Sequence, residues 1–199
     1  MELVPPCAIA AEIGADHGII SAHLLSRGTC GRMVVSDISA ASLLKARRLF
    51  ASHGLKGRAD FRVADGLEAL DAPVEAVVIA GMGVRTITGI LARGRGRLHG
   101  AALVLQTNTG VAGLRAWLAG NGFRVDAERL SREGRRFYIA MRATEGYAAY
   151  SEKELYLGPC LIKERPPLLR EYLAWRRGCL LAARGGEHPA MKWIEEEME

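Results

Sequence analysis

The sequence predicts an α/β fold in which a mainly parallel sheet is covered by helices on both faces. Short apolar runs typical of strands alternate with longer helical patterns as far as residue 121, and two strand-like runs then follow one another across a turn. The 199 residues are 49% hydrophobic and 25% charged, a composition typical of one globular domain with a small appendage.

Each predicted element rests on its own stretch of this pattern. Parallel strands are predicted at residues 7–13, 33–37, 60–63, 74–80 and 101–105. Helices are predicted at residues 18–26, 40–53, 84–93 and 111–121. Strand-like runs at 123–128 and 136–143, joined by a turn at 131–134, predict an antiparallel hairpin at the edge of the sheet.

The pattern changes after residue 148. Leucine, tyrosine and tryptophan recur there at helical spacing, which predicts a C-terminal helical appendage over residues 149–199 that follows a domain of residues 1–148. Pro166-Pro167 predicts the start of its main helix, and Gly185-Gly186 predicts a break before the acidic end at residues 195–197.

Charge and cysteine content narrow the class of protein. The formal charge of +5 permits an acidic partner such as RNA without requiring one. The four cysteines form no C-x-x-C pair, which favours a reduced, cytoplasmic protein without a metal site. There is no run of about 18 apolar residues and no signal-peptide pattern at the start, so we expect a soluble protein that does not enter a membrane.

The segment A-E-I-G-A-D-H-G, residues 11–18, predicts a cofactor loop after the first strand. Gly14 lets the backbone approach a ligand closely, and a helix expected to begin near Asp16 or His17 presents free N–H groups to the same place. A second carboxylate, Asp37, ends the next predicted strand, and together with Glu12 it suits the hydroxyls of a ribose.

Asp16 favours S-adenosylmethionine over a dinucleotide. It stands where a pyrophosphate loop of the pattern G-x-G-x-x-G has its second glycine, and its charge repels phosphates. S-adenosylmethionine has a sulfonium and an ammonium group and no phosphate, so the carboxylates of Glu12 and Asp16 attract it. The segment 64–67 supplies a carboxylate and an apolar cover for adenine, and the segment 80–83 ends the fourth strand with room beside a transferable methyl group.

In order along the chain, these segments resemble the motifs of the TrmK family of bacterial methyltransferases. The matching segments are A-E-I-G-A-D-H-G, S-D-I-S, A-D-G-L, I-A-G-M-G, L-Q-T-N and, in the tail, Y-S-E-K-E-L-Y-L-G-P-C-L-I-K-E. Each is weak alone, but six in order are specific. The resemblance implies a Rossmann-like class I methyltransferase whose domain at residues 1–148 binds S-adenosylmethionine, and which methylates N1 of adenine 22 in tRNA.

The resemblance also implies roles for individual residues. The implied cofactor residues are Glu12, Gly14, Asp16 and His17 at the methionine end, Asp37 and Ile38 at the ribose, Asp65 and Gly66 at the adenine, and Ala80 and Gly81 near the sulfonium. The implied substrate residues are Met82, Gly83, Gln106 and Asn108, which would face the target base. Alternatively, His17 only caps a helix and Met82 only fills the core. The chain departs from the common family pattern at four positions. The family commonly has aspartate at the position of Glu12, glycine at that of Val84, proline at that of Thr107 and tyrosine at that of Phe137.

The implied chemistry requires no identified catalytic base. Adenine N1 has a lone pair at neutral pH, so we expect positioning and exclusion of water to drive the reaction. A side-chain amide such as that of Gln106 or Asn108 suits the edge of an adenine. Because N1 lies inside a Watson–Crick pair, the target base has to be unpaired or extruded.

Three basic clusters are candidate RNA contacts. They are Arg93, Arg95 and Arg97; Arg132, Arg135 and Arg136; and Lys163, Arg165, Arg170, Arg176 and Arg177. Because glycines lie between the arginines of the first cluster, Arg95 and Arg97 are expected on a flexible loop that follows the phosphates of RNA. Alternatively, the basic residues of each cluster are only solvated surface side chains. We interpret Trp117, Trp175 and Trp193 as packing residues rather than base-stacking platforms.

Three other functions stay open at this point. One is a methyltransferase of the same fold with another RNA or a small molecule as substrate. Another is a module that binds S-adenosylmethionine or RNA without turnover. The third is a nicotinamide oxidoreductase. Asp16 argues against it, because its negative charge would repel the pyrophosphate of a nicotinamide dinucleotide.

Overall fold

The computed structural model describes residues 2–183 and 188–199. Its strands are β1 (Cys7–Ile13), β2 (Cys30–Asp37), β3 (Ala59–Val63), β4 (Ala76–Gly83), β5 (Ala102–Thr109), β6 (Phe123–Glu133) and β7 (Arg136–Glu145). Its helices are α1 (Ile19–Ser26), α2 (Ala40–Ser52), α3 (Val84–Gly94), α4 (Val111–Gly120), α5 (Glu152–Leu157), α6 (Pro159–Glu164), α7 (Leu169–Ala182) and α8 (Ala190–Met198). Short 3-10 turns occupy Gly66–Ala69 and Arg95–Arg97.

The strands form a single sheet in the order β3-β2-β1-β4-β5-β7-β6. Strands β1 to β5 are parallel, while β7 pairs antiparallel with both β5 and β6. The α/β prediction with an antiparallel edge hairpin is therefore confirmed. The strand order reverses between β1 and β4, and in such sheets ligands bind in the crevice at the carboxyl ends of the strands on either side of this point.

Alternate residues of the central strands serve two apolar layers, one on each face of the sheet. Val77 and Ile79 pack into the layer that includes Ile87 of α3 and residues of α4. Val78 lies in the opposite layer, which includes Phe50 of α2 and Leu24 of α1. Because side chains alternate across a strand with a period of two, neighbouring apolar residues of one strand can fill both layers.

Two local predictions are wrong. Residues 131–133 continue β6, so the hairpin turn is Gly134-Arg135, where Gly134 has a positive φ of 57°. Helix α1 begins at Ile19, after an N-cap at Gly18 with φ 68°, rather than near Asp16 or His17. In both places a glycine in the left-handed region determines where the regular element begins or ends.

The C-terminal helices pack against the hairpin. Leu157, Leu161 and Leu173 share an apolar cluster with Ile139 of β7. The main helix begins at Leu169, just after the Pro166-Pro167 predicted to start it, whereas the break predicted at Gly185-Gly186 lies outside the described residues.

A fully buried ion pair joins α4, β6 and the C-terminal helices. Arg115 Nε donates to Glu128 Oε1 at 2.7 Å, and its Nη1 donates to the carbonyl of Leu155 at 2.9 Å. The other carboxylate oxygen accepts from the Cys160 amide at 3.0 Å. A Cβ at position 158 would lie 2.7 Å from both charged groups, so glycine is required there.

The described residues contain neither a membrane-spanning helix nor a metal-binding group. No helix within them has the length and apolar character needed to cross a membrane. Over the same ranges, histidine, cysteine and acidic side chains do not gather into a group of three or more that would hold a metal ion.

Candidate cofactor and substrate site

The loop after β1 is held against the end of β2. The amides of Gly14 and Ala15 both donate to the carbonyl of Ser36, at 2.8 and 2.9 Å. Gly14 has φ 70° and Asp16 has φ 46°, both in the left-handed region. This backbone places Asp16 and His17 on the outside, where their side chains are 64% and 48% exposed and lie 3.2 Å apart. The loop is thus a preformed turn with a carboxylate and an imidazole at its surface.

Glu12 points into the fold. Its side chain is buried, and its carboxylate accepts hydrogen bonds from the amide of Ser21, at 3.0 Å, and from the Ser21 hydroxyl. Burial raises the pKa of Glu12 to about 7, although both bonds from Ser21 act to lower it. Glu12 therefore fastens the first turn of α1 to β1, which differs from the expectation that its charge faces a cofactor.

Asp37 organises the neighbouring backbone at the end of β2. Its two oxygens accept from the amides of Asp16, at 3.0 Å, and Ser39, at 2.8 Å. Beside it, Ile38 is 75% exposed, and Val63, paired with Asp37 at the end of β3, is 60% exposed. Two aliphatic side chains next to a carboxylate form a surface that a flat purine ring can cover. The cofactor residues predicted from the sequence include Ile38 and do not include Val63, which ends β3.

Asp65 already has a partner. Its carboxylate accepts from Arg93 Nη2 at 3.1 and 3.2 Å, and both side chains are more than half exposed. The two line a recess of about 160 Å³ together with Gly66, which has φ 57° and is buried beside Ile90. Arg93, expected among the RNA contacts, is here a neighbour of the residue assigned to adenine.

Met82 lies directly over the β1 loop. A Cβ built on Gly14 would come within 2.0 Å of the Met82 methyl carbon, so a larger residue would displace the end of that flexible side chain, and the φ of 70° itself favours glycine. Strand β4 reaches this position through register shifts against β5, between Ile79 and Met82 and again between Met82 and Gly83. Met82 therefore covers the loop after β1 and also packs against the core.

Gln106 and Asn108 hold the peptide of Gly81 from both sides. Gln106 Oε1 accepts from the Gly81 amide at 2.8 Å, Asn108 Nδ2 donates to the Gly81 carbonyl at 2.7 Å, and the two side chains join through a 3.2 Å bond. Thr107 adds a further polar contact, because its single hydroxyl hydrogen lies within reach of two carbonyls, that of Thr109 at 2.7 Å and that of Met82 at 3.1 Å. The side-chain amides of Gln106 and Asn108, which are expected to face the target base, thus fix the backbone at Gly81, which has φ 77°.

Arg95 and Arg97 lie away from Gln106, Asn108 and Gly81, although Arg97 lines the recess beside Asp65. They form a 3-10 turn after α3 rather than a flexible loop, and an 11-residue helix of about 16 Å separates them from Gly83. Arg95 donates to the carbonyl of Asn121 and lies 4.9 Å from the centre of the Phe123 ring. Arg97 donates to the carbonyl of Leu70 at 2.6 Å. The structure does not bring them together with Gln106 and Asn108.

A model of one protein family matches most of this chain. The family model TrmK, described as tRNA (adenine(22)-N(1))-methyltransferase, matches residues 10–180. The chain belongs to the TrmK family. The tRNA (adenine(22)-N(1))-methyltransferase of Bacillus subtilis is 30% identical over 172 residues, which cover 82% of this chain and 72% of that protein.

Solved structures of TrmK-like proteins share the fold of this chain. Sp1610 of Streptococcus pneumoniae, solved in complex with S-adenosyl-L-methionine, has a TM-score of 0.91 and 29% identity over 100% of this chain and 95% of that one. TrmK of M. capricolum, solved with S-adenosyl-homocysteine, has a TM-score of 0.79 over 99% and 90% of the two chains, and its 21% identity speaks for the fold alone.

Proposed function

We propose that this chain transfers the methyl group of S-adenosylmethionine to N1 of adenine 22 in tRNA. The observation that supports the proposal most strongly is the family match over residues 10–180, which contains every carboxyl-edge segment of the site. The structure adds a preformed loop over which Met82 lies and a β4 end held by Gln106 and Asn108.

The residues at the carboxyl edge fit S-adenosylmethionine. Exposed Asp16 would pair with its ammonium group, Asp37 would accept from the ribose hydroxyls, and Ile38 with Val63 would cover the adenine. Asp65 would accept from the adenine amino group once Arg93 gives way. The bound cofactor would supply a methyl group on a positively charged sulfur.

The protein's own part in the reaction is to position the target base. Adenine N1 already has a lone pair, so no side chain has to remove a proton. The Gly81 peptide is fixed before any substrate arrives, which means that the wall beside the reacting atoms is preorganised. Met82 places an apolar side chain on the loop side of this wall, where it would exclude water from the reacting atoms.

Methyl transfer to an unmodified tRNA transcript tests the proposal. The position of the methyl group is mapped by reverse-transcription stops, and the matched control is the same transcript with guanine at position 22. A stop at position 22 that disappears in the control is expected. Transfer to another position would contradict the site of methylation, and cofactor binding without any transfer would favour a binding-only role.

A further inference from the structure

A groove runs between the β6–β7 hairpin and α7. Two adjoining recesses, of about 100 and about 460 Å³, share the side chains of Phe137 and Trp175. The first also contacts Asn108 and Thr109 at the end of β5, and the second contacts residues at the hairpin tip. We call the two recesses together the hairpin–α7 groove.

The floor of the groove is aromatic. The ring of Phe137 lies 5.5 Å from that of Trp175 and 5.7 Å from that of Tyr172, measured between centres. Tyr172 is 3% exposed, whereas Trp175 is 38% exposed. Trp175 therefore packs on its neighbours, as predicted, and still presents indole surface to solvent.

One end of the groove continues from the proposed base site. Thr109 pairs with Gly83 across β4 and β5, and Asn108 bonds the Gly81 carbonyl. A nucleotide bound along the groove would therefore be next to a base held at the end of β4.

The other end of the groove is basic. Arg132 and Arg135 line it at the hairpin tip. Arg132 forms an ion pair with Glu171, while Arg135 is exposed and has no acidic partner among residues 2–183 and 188–199. An aromatic platform that leads to arginines is the combination by which proteins bind single-stranded nucleic acid, with stacking for the base and positive charge for the backbone.

We propose that the hairpin–α7 groove binds the nucleotide next to the target adenine, with its base stacked on Trp175 and its phosphate beside Arg135. This inference rests on the proposed function and extends it from the reacting base to its neighbour in the RNA strand. An unstacked neighbour is also what an extruded adenine requires, because the strand has to leave the helix to present N1.

Kinetics of variants at Trp175 test the platform. Trp175→Leu keeps an apolar side chain against Phe137 and removes the flat ring, so the KM for tRNA should rise by about 5- to 100-fold while the affinity for S-adenosylmethionine is unchanged. Trp175→Phe should restore most of the loss. The matched control is Trp193→Leu, a tryptophan of α8 outside the groove that packs near Tyr156. Equal effects of Trp175→Leu and Trp193→Leu on the KM would overturn the inference.

Abasic substrates show whether the partner of Trp175 is the neighbouring base. Transcripts that lack the base at position 21 or at position 23 should show a raised KM with the parent protein at one of these positions, and no further rise there with Trp175→Leu. If removal of the base and Trp175→Leu raise the KM independently, so that their effects add at both positions, stacking on Trp175 would be contradicted.

Tryptophan fluorescence gives an answer that does not need activity. In a protein with Trp117→Phe and Trp193→Phe, the remaining indole reports on Trp175, and a short single-stranded RNA should quench it, less so in high salt or with Arg135→Ala. Arg48→Ala, an exposed arginine of α2, is the charge-matched control. No quenching would overturn the inference even if methyl transfer is observed, and quenching without transfer would support the groove while the proposed function fails.

Discussion

Replacing Glu12 with glutamine should change how the stability of the protein depends on pH. The buried carboxyl has its pKa raised to about 7, compared with an ordinary value of 4.5. Between these pH values the folded state holds a proton that the unfolded state has lost, so the free energy of unfolding falls as pH rises from about 4.5 to about 7 and is then level. At 1.36 kcal/mol per pKa unit, this fall amounts to about 3 kcal/mol. Glutamine keeps an acceptor oxygen for Ser21 and does not titrate.

Urea unfolding of both proteins at several pH values between 4 and 8, without cofactor, measures the effect. The difference between the two free energies isolates Glu12, because the other groups are common to both proteins. Relative to the parent, Glu12→Gln should gain about 3 kcal/mol from pH 4.5 to pH 7.5. Ser21→Ala removes a bond that lowers the pKa of Glu12 and should steepen the pH dependence. If the difference between the free energies of unfolding of the parent and Glu12→Gln does not change with pH, the reasoning is refuted. A change of opposite sign would mean that the Ser21 bonds lower the pKa of Glu12 by more than burial raises it.

Three further substitutions test other parts of the structure. Arg115→Met should cost about 3–5 kcal/mol in the free energy of unfolding, because it leaves Glu128 charged and buried without its partner, and adding Glu128→Leu should recover much of that cost in the same denaturation assay. Gly14→Ala should lower thermal stability through about 1–2 kcal/mol of backbone strain and a clash that adding Met82→Ala relieves only in part; full recovery would contradict the strain. Asn108→Asp replaces an amide donor with an oxygen that faces a carbonyl, so it should slow methyl transfer more than it weakens cofactor binding, and equal losses would contradict a role in positioning.

The order of elements could be predicted from the sequence because alternating apolar runs and helical patterns are strong local signals. The carboxyl-edge position of Asp37 and Asp65 follows directly from that order. Cofactor binding by these residues stays a prediction until it is measured. The hairpin turn could not be placed because Ser131 and Glu133 look like turn residues, whereas the left-handed Gly134 decides the turn.

The direction of polar side chains was harder to predict. Glu12 shares a strand face with Ala10, which lies in the apolar layer that includes α1, so alternation within β1 already indicated that Glu12 points inward. No comparable signal exists for Gln106 and Asn108. Their bonds to the Gly81 peptide depend on register shifts between β4 and β5, which bring a backbone group opposite the two amides. Short-range sequence patterns carry no information about such a shift.

The buried pair of Arg115 and Glu128 has a consequence for attempts to shorten the chain. A fragment that ends at the predicted boundary of residue 148 would keep both charges and lose the Leu155 carbonyl and the Cys160 amide that satisfy them. Two half-solvated charges and an uncovered hairpin face would then be exposed, and such a surface favours aggregation. Limited proteolysis between the sheet and the C-terminal helices should therefore yield an insoluble fragment rather than a smaller working enzyme.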